Sequence, residues 1–266
     1  MSQIDTALRD FRTMDELAMR DSVIHRLNAL PKFIITITYI AFVVSMDKYE
    51  FSKLVILILY PWLMFELSNT SFKGFFIRLR YVLPLVMAVG VINPFLDRNV
   101  LMHLGTIPIT GGVVSMLTLM LKGVLTIMAS YVLVATTRFD AISASLARLH
   151  VPSIFVTMML LTYRYISVMM DELVIMNAAY KLRAPGQKGI HYKAWGSFLG
   201  QMFLRSMDRA EEIFSAMQLR GFDEKYRYVS RSKWKIGDVV YITLTVLLLI
   251  LFKNVDVVSL LGSLVL

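Results

Sequence analysis

A chain of 266 residues that is 57% hydrophobic and 18% charged, with a mean hydropathy of +0.63, departs from the roughly 45–50% apolar and 25% charged make-up of soluble domains and reads as a polytopic membrane protein. It has no cysteine, which excludes disulfides and thiolate metal sites. The net charge of +9 calls for no nucleic acid, because cytoplasmic loops of membrane proteins collect lysine and arginine.

The N-terminal stretch, Met1 to Lys32, is charged and lacks an apolar signal core, so no cleaved signal peptide is expected. Apolar runs follow at Phe33–Met46, Phe51–Leu67, Tyr81–Leu96, Val113–Thr136, Ile154–Met170 and Ile236–Phe252. A spanning helix takes about 20 apolar residues, with a range of about 17–25. The first run is short and must borrow Leu30 to Lys32, with Lys32 snorkelling to the interface.

The fifth run decides the topology. If Ile154–Met170 does not cross, the loops on one side hold 22 Lys and Arg and those on the other hold 3. That asymmetry makes the first side cytoplasmic. If it crosses, the counts become 10 inside and 15 outside. Arg164 within the run also weighs against crossing, since a charge at mid-bilayer is costly. The expected fold is therefore an all-α polytopic membrane protein. Residues 1–32 form an amphipathic cytoplasmic segment, 33–137 four transmembrane helices, 138–235 a cytoplasmic helical module, and 236–266 a returning C-terminal span. The apolar tail Val255–Leu266 either finishes a tilted helix or lies at the far interface.

The module is helical on local signals. Phe139–Leu149 is a short amphipathic stretch, and Val151-Pro152 breaks the chain. A long helix is predicted over Ser153–Arg183, ended by Ala184-Pro185-Gly186. A second is predicted from Ala194 to Arg220, with Gly221 as its cap. In the second, Met202, Phe203, Met207, Ala210, Ile213, Phe214 and Met217 form an apolar stripe suited to packing on a neighbouring helix.

The two helices end alike. Ala179-Tyr180-Lys181-Leu182-Arg183-Ala184 and Ala216-Met217-Gln218-Leu219-Arg220-Gly221 superpose on a shift of 37 residues, which also matches Met170 with Met207 and Asp171 with Asp208. A cation at a helix C-terminus is favoured by the dipole by roughly 0.3–1 kcal/mol, which accounts for one such arginine. Two in matched context point instead to a pair of guanidinium forks that dock into equivalent grooves of a twofold partner.

At these residues the chain resembles the transmembrane (T) component of energy-coupling factor transporters. That family carries two short cytoplasmic arginine motifs, matched here by Leu182-Arg183-Ala184 and by Leu219-Arg220-Gly221 with Phe222 following. Leu182 and Ala184 depart from the common Ala-Arg-Gly form. Thr136-Thr137, Val151-Pro152, Tyr163-Arg164-Tyr165 and Asp171-Glu172 continue the likeness. Met14-Asp15-Glu16-Leu17-Ala18, Asp21-Ser22, His25-Arg26-Leu27, Pro31-Lys32, Lys48-Tyr49-Glu50 and Tyr60-Pro61 are similar to the cobalt branch. The resemblance implies a non-catalytic subunit that holds two cytoplasmic ABC-type ATPases and a substrate-binding membrane subunit, with or without a small accessory membrane subunit. ATP and Mg would sit on the ATPases, and no cofactor on this chain. Leu182, Arg183, Ala184, Leu219, Arg220 and Gly221 would contact the ATPases, supported by Ala179, Ala216, Met217, Phe222, Arg164, Asp171 and Glu172. The cargo would be cobalt, with nickel or a vitamin as rivals.

Other candidate sites are weaker. His25, His103, His150 and His191 lack a spacing suited to a metal. Gly111-Gly112 lacks the lysine-hydroxyl pair of a phosphate loop. Lys122 lies inside the fourth run and is expected to snorkel or to pair with a carboxylate such as Glu66. Arg164 is expected to brace Asp171 or Glu172, or a group on another helix. Ala88, Gly90, Gly123, Ala129 and Ser130 allow close helix approach, either within the chain or to the substrate subunit. A stand-alone secondary transporter would need broken mid-membrane helices, hinted at only by Pro84 and Pro94. A membrane enzyme would have only Glu66 and Lys122 to work with.

Overall fold

The computed structural model describes residues 13, 15–97, 99–104, 107–187, 189–222 and 234–254. In chain order the elements are α1 (Ala29–Ser45), α2 (Phe51–Leu57), α3 (Leu59–Ser68), α4 (Phe72–Gly90), α5 (Asn93–Leu96), β1 (Val100–Leu104), β2 (Ile107–Thr110), α6 (Gly111–Thr136), α7 (Phe139–Arg148), α8 (Ser153–Arg183), α9 (Trp195–Leu219) and α10 (Ile236–Asn254). Among the described residues the architecture is all-α apart from the antiparallel β1–β2 hairpin, which lies between the third and fourth apolar runs. The tail Val255–Leu266 lies outside the described residues.

Among the described residues, four helices are long and apolar enough to cross a membrane: Phe51–Ser68, Gly74–Phe95, Gly111–Thr136 and Ser153–Arg183. Ala29–Ser45 and Ile236–Phe252 are shorter apolar helices. Length and composition thus do not separate α8 from the spans. The chain divides into two compact units, and α8 falls in the one that also holds α7 and α9. The smaller unit is Met1–Glu16 with Phe139–Arg231; the larger is Leu17–Arg138 with Ser232–Leu266.

In the larger unit α6 is the central post, fully burying Leu125 and Ala135. Aromatic rings tie it to its neighbours: Phe65 of α3 stacks on Phe72 (4.7 Å between centroids) and on Tyr131 of α6 (5.6 Å). Such contacts supply the packing on which helix association in lipid depends, where no hydrophobic force draws helices together. α2 and α3 run as one helix through Ile58, whose backbone is helical. Pro61 lacks an N–H, so the Leu57 carbonyl one turn back loses its helical donor. The Tyr39 hydroxyl of α1 donates to that carbonyl at 2.8 Å. A break in the ladder is thereby repaired from a neighbouring helix, as lipid-embedded backbone requires.

Two sequence expectations change here, and one choice left open by the sequence is narrowed. Lys32 does not snorkel outward: it is 3% exposed and donates to the Thr136 carbonyl at 2.8 Å. Lys122 pairs not with Glu66 but with backbone, donating to the carbonyls of Val44 (3.1 Å) and Met46. Those carbonyls are orphans at the end of α1, where a cation is favoured. Of the small residues, Gly123 faces Val86 and Gly90 faces Met116, each leaving only 3.3 Å for an added Cβ. Both are therefore spent on the α4–α6 contact within the chain. Pro84 sits inside an unbroken α4.

In the smaller unit α7 packs on α8, with Phe139 stacked on Tyr163 at 4.3 Å and 14°. The Tyr163 hydroxyl donates to Asp15 Oδ1, which ties Asp15 to α8. α8 starts after Pro152 and ends at Arg183, where the sequence places both boundaries.

Candidate functional site: two arginine-tipped helix ends

Both arginine motifs lie at helix C-termini, and the two ends are built differently. α9 closes in a full Schellman turn. The Phe222 N–H bonds the Met217 carbonyl (3.0 Å), the Gly221 N–H bonds the Gln218 carbonyl (2.9 Å), and Gly221 has φ +74°. This left-handed position is why glycine stands there. Phe222 and Met217 also line one wall together, which is the apolar contact that accompanies such caps. Arg220 is the cap residue itself, with φ −90° and ψ 8°.

α8 has no glycine after its arginine. Arg183 is the last helical residue, and the Ala184 N–H still bonds the Tyr180 carbonyl at 3.0 Å. The reversal is delayed to Gly186, at φ +88°. The departure from Ala-Arg-Gly at Leu182 and Ala184 thus has a structural counterpart: one more residue of helix. Tyr180 then pins the loop, donating to Gln187 Oε1 (2.9 Å) and accepting the His191 N–H (3.1 Å). Sequence reasoning passes over Tyr180 as a spacer in the repeat; a hydroxyl one turn before the helix end is the signal that would have marked it.

The tips are bare. Leu182 is 84% exposed and Leu219 90%. Arg183, Arg220, Gly221, Ala179 and Ala216 are exposed, and Ala184 is half-buried. An exposed leucine is ordinary on its own. Two of them, each one residue before an exposed arginine, make a matched pair of apolar-plus-cationic knobs.

Below the tips, α8 and α9 enclose an apolar groove of about 580 Å³. Its walls include Met158, Tyr165 and Met169 from α8 and Ile213, Phe214 and Met217 from α9, with Phe222 at the cap. The stripe on α9 is present but remains largely uncovered within the chain: Phe203, Met207 and Phe214 are 63%, 47% and 54% exposed. Only Phe198 of this helix is buried. The expected packing of the stripe on a neighbouring helix is therefore only partly made by α8.

The charged residues also rearrange. Glu172 pairs with Arg205 of α9 and so ties the two long helices together. Arg164 does not brace it; its guanidinium lies 6.0 Å from the Tyr165 ring. On one helix Arg164 and Glu172 are two turns apart, roughly 12 Å of rise at 1.5 Å per residue, beyond the reach of a direct pair. Asp171 is exposed. Among the described residues no three His, Asp or Glu converge on a point that would hold a metal ion.

The cobalt transport protein family CbiQ matches residues 20–230. An energy-coupling factor transporter transmembrane protein of Limosilactobacillus fermentum is 27% identical over 251 residues, covering 87% of this chain and 92% of its own. An uncharacterized protein of Methanocaldococcus jannaschii is 24% identical over 201 residues, 71% of this chain and 69% of its own. A nickel permease of Lactiplantibacillus plantarum is 27% identical over 119 residues, 44% and 43% of the two chains.

Proposed function

The chain belongs to the CbiQ cobalt transport protein family, and on that premise we propose that it is the force-transmitting membrane subunit of an ATP-driven cobalt importer. It is a multi-pass membrane protein of the kind found in energy-coupling factor transporters. In the proposed arrangement the N-terminus and residues 138–235 lie in the cytoplasm. Arg183 and Arg220, each with its exposed leucine, dock on two ABC-type ATPase subunits, with Ala184 and Gly221 giving the partner close access to the backbone. ATP and Mg bind on those subunits, and this chain hydrolyses nothing. A separate membrane subunit captures the cargo, and a small accessory membrane subunit joins the assembly where the cargo system has one.

The observation that carries the reading is the pair of bare Leu-Arg helix ends. Guanidinium forks bind carboxylates and backbone carbonyls with fixed geometry, and an ATPase dimer offers two equivalent receptors. Closure of that dimer on ATP would move the two tips, and α8 and α9, joined through Glu172 and Arg205, would carry the motion. The family's cobalt transport assignment and the N-terminal residues favour cobalt. A relative named as a nickel permease makes nickel the alternative cargo, and a vitamin the next.

The test is co-purification of the tagged chain from its native membrane in mild detergent, wild type against Arg183→Glu/Arg220→Glu. Wild type is expected to bring ATPase subunits and one further membrane protein, whose identity names the cargo. The double variant is expected to fold, keep the membrane partner and lose the ATPases. Absence of any ATPase from the wild-type preparation would sink the reading and bring a stand-alone secondary transporter to the front.

A further inference from the structure

The chain passes between the two units three times: between residues 16 and 17, between 138 and 139, and a third time within 223–233, outside the described residues, before Trp234 and Lys235. On the larger unit's side, a polar group within a few residues of each passage is held by one small cluster. His25 Nε2 lies 3.0 Å from the Leu17 carbonyl and 3.3 Å from the Ala135 carbonyl. Lys32 Nζ donates to the Thr136 carbonyl at 2.8 Å. Asp238 accepts the Lys235 N–H on Oδ2 (2.9 Å) and the Asn28 N–H on Oδ1 (2.8 Å). Leu17 opens the first stretch after a passage, Ala135 and Thr136 close α6 just before the second, and Lys235 leads into α10 after the third.

The chemistry of the cluster is consistent throughout. Two carbonyls facing Nε2 require that nitrogen to carry the proton, which leaves Nδ1 to accept from the Ser22 hydroxyl at 2.7 Å. The carbonyls of Ala135 and Thr136 belong to the last turn of α6, where no intrahelical donor remains. A surface helix end would leave them to water. Here they are filled by side chains 110 and 104 residues away in sequence. Lys32, Thr136 and Asp238 are 3%, 2% and 0% exposed, so a broken contact leaves a buried polar group without a partner. Asp238 sits in the first turn of α10, where a carboxylate is favoured by the dipole.

We propose that His25, Lys32 and Asp238 form a clasp that fastens all three passages of the chain at one buried polar point. Resting on the coupling reading above, the clasp makes displacement of the arginine-tipped helices pull on α1, α6 and α10 together rather than bend three independent linkers. These are positioning residues: each acts through the backbone of this chain that it holds.

The experiment uses the full complex in nanodiscs or proteoliposomes and compares Lys32→Met with Lys122→Met. Both remove a lysine that donates to helix-end carbonyls, but only the first belongs to the clasp. Hydrogen exchange is expected to rise about tenfold or more at the amides of 135–138 and 235–238 in Lys32→Met, with the middle of α6 unchanged. Lys122→Met is expected to leave those amides as in wild type. In ATP-driven uptake of radiolabelled cobalt(II), Lys32→Met is expected to keep ATP hydrolysis within about twofold while uptake per ATP falls about tenfold. Unchanged exchange at the passages, or uptake per ATP equal to wild type, overturns the clasp. If wild type shows no ATP-linked uptake, the coupling reading has failed, and the exchange pattern alone decides whether the three passages are fastened together. Should Lys32→Met not assemble, His25→Phe keeps the ring volume, removes the Nε2 donor and is judged on the same two readouts.

Discussion

The larger and smaller units solve opposite problems with the same apolar vocabulary. In the larger unit Tyr39, Val43, Leu54, Leu57 and Leu125 are fully buried, and helix-end carbonyls are filled by Lys32 and Lys122. In the smaller unit the long helices α8 and α9 bury Val156, Thr157, Asn177 and Phe198 and leave most of their apolar side chains uncovered. The difference is instructive because the hydrophobic content alone would not separate them. The larger unit also exposes an apolar face, with Tyr81 at 70%, Leu85 at 69% and Phe95 at 70%, but it closes around a fully buried interior, which makes it a scaffold. A unit whose leucines and phenylalanines stand free at helix tips and along a groove is finished only by a partner.

The sharpest way to break that comparison is to truncate a leucine in each unit. Leu125→Ala removes a fully buried side chain from the central post. In lipid the transfer contribution shrinks, but the void remains, and the expected loss is about 2–5 kcal/mol. Leu219→Ala, at 90% exposure, is expected to leave stability within about 0.5 kcal/mol while weakening ATPase capture. Thermal unfolding of the purified chain and pull-down of the ATPases measure the two effects separately. If Leu219→Ala unfolds the chain as Leu125→Ala does, the tips are structural and the division of labour is wrong.

Lys122→Met comes next. It strips the donor from the Val44 and Met46 carbonyls, which are exposed and half-buried, and the net loss for each such hydrogen bond is about 0.5–1.5 kcal/mol. The expected signature is a lower unfolding midpoint with ATPase capture intact. Restoration of stability by Lys122→Arg would identify the cation, rather than the aliphatic stem, as what matters.

Gly221→Ala probes the smaller unit on a finer scale. With φ at +74° and nothing among the described residues within 4 Å of an added Cβ, the expected penalty is conformational, about 1–2 kcal/mol. Gly200→Ala, inside α9 and equally unobstructed, should have the opposite sign and stabilise by about 0.5–1 kcal/mol. Hydrogen exchange at 217–222 reads the first change and at 196–204 the second. The same sign at both sites would mean that the Schellman turn does not persist in the membrane-bound chain.

Much of the smaller unit was legible because its signals are local. Pro152 and Pro185-Gly186 bound α8, and the repeat places both arginines at helix ends. The sequence could show the stripe on α9 but not that it stays open, since whether Phe203 and Phe214 find a neighbour depends on a second chain. In the larger unit the spans were legible from run length, and the polar contacts were not. Lys32 reads as a snorkelling residue because it borders a short apolar run; its inward turn depends on orphan carbonyls 104 residues later. Lys122 invites a carboxylate partner because charge suggests charge, whereas a helix end is an equally good acceptor. The β1–β2 hairpin was missed because a short strand pair in a loop has too few residues to show alternation.

The smallest effect tests the outer edge of the larger unit. Asp97 accepts a 2.5 Å hydrogen bond from the Tyr49 hydroxyl and lies 3.5 Å from Lys48. The Tyr49 hydrogen bond, followed by the Asn99 backbone and the Lys48 charge, holds the Asp97 carboxyl below its ordinary value of 3.8. A carboxyl whose pKa is lowered by folding contributes stability that is fully present above the unfolded value and is lost as pH falls through the folded one. Asp97→Asn is therefore expected to lower the unfolding midpoint slightly at pH 7, and the gap from wild type should close only below about pH 4. Because the group is at the surface, salt should shrink the same gap. Tyr49→Phe provides the second leg of a double-mutant cycle. If the two changes add fully at pH 7, no coupling exists between the α1–α2 turn and the segment that precedes the hairpin. A coupling that vanishes at low pH would mark this contact as a local fastener at the rim, weaker than the buried ones at the other end of α6.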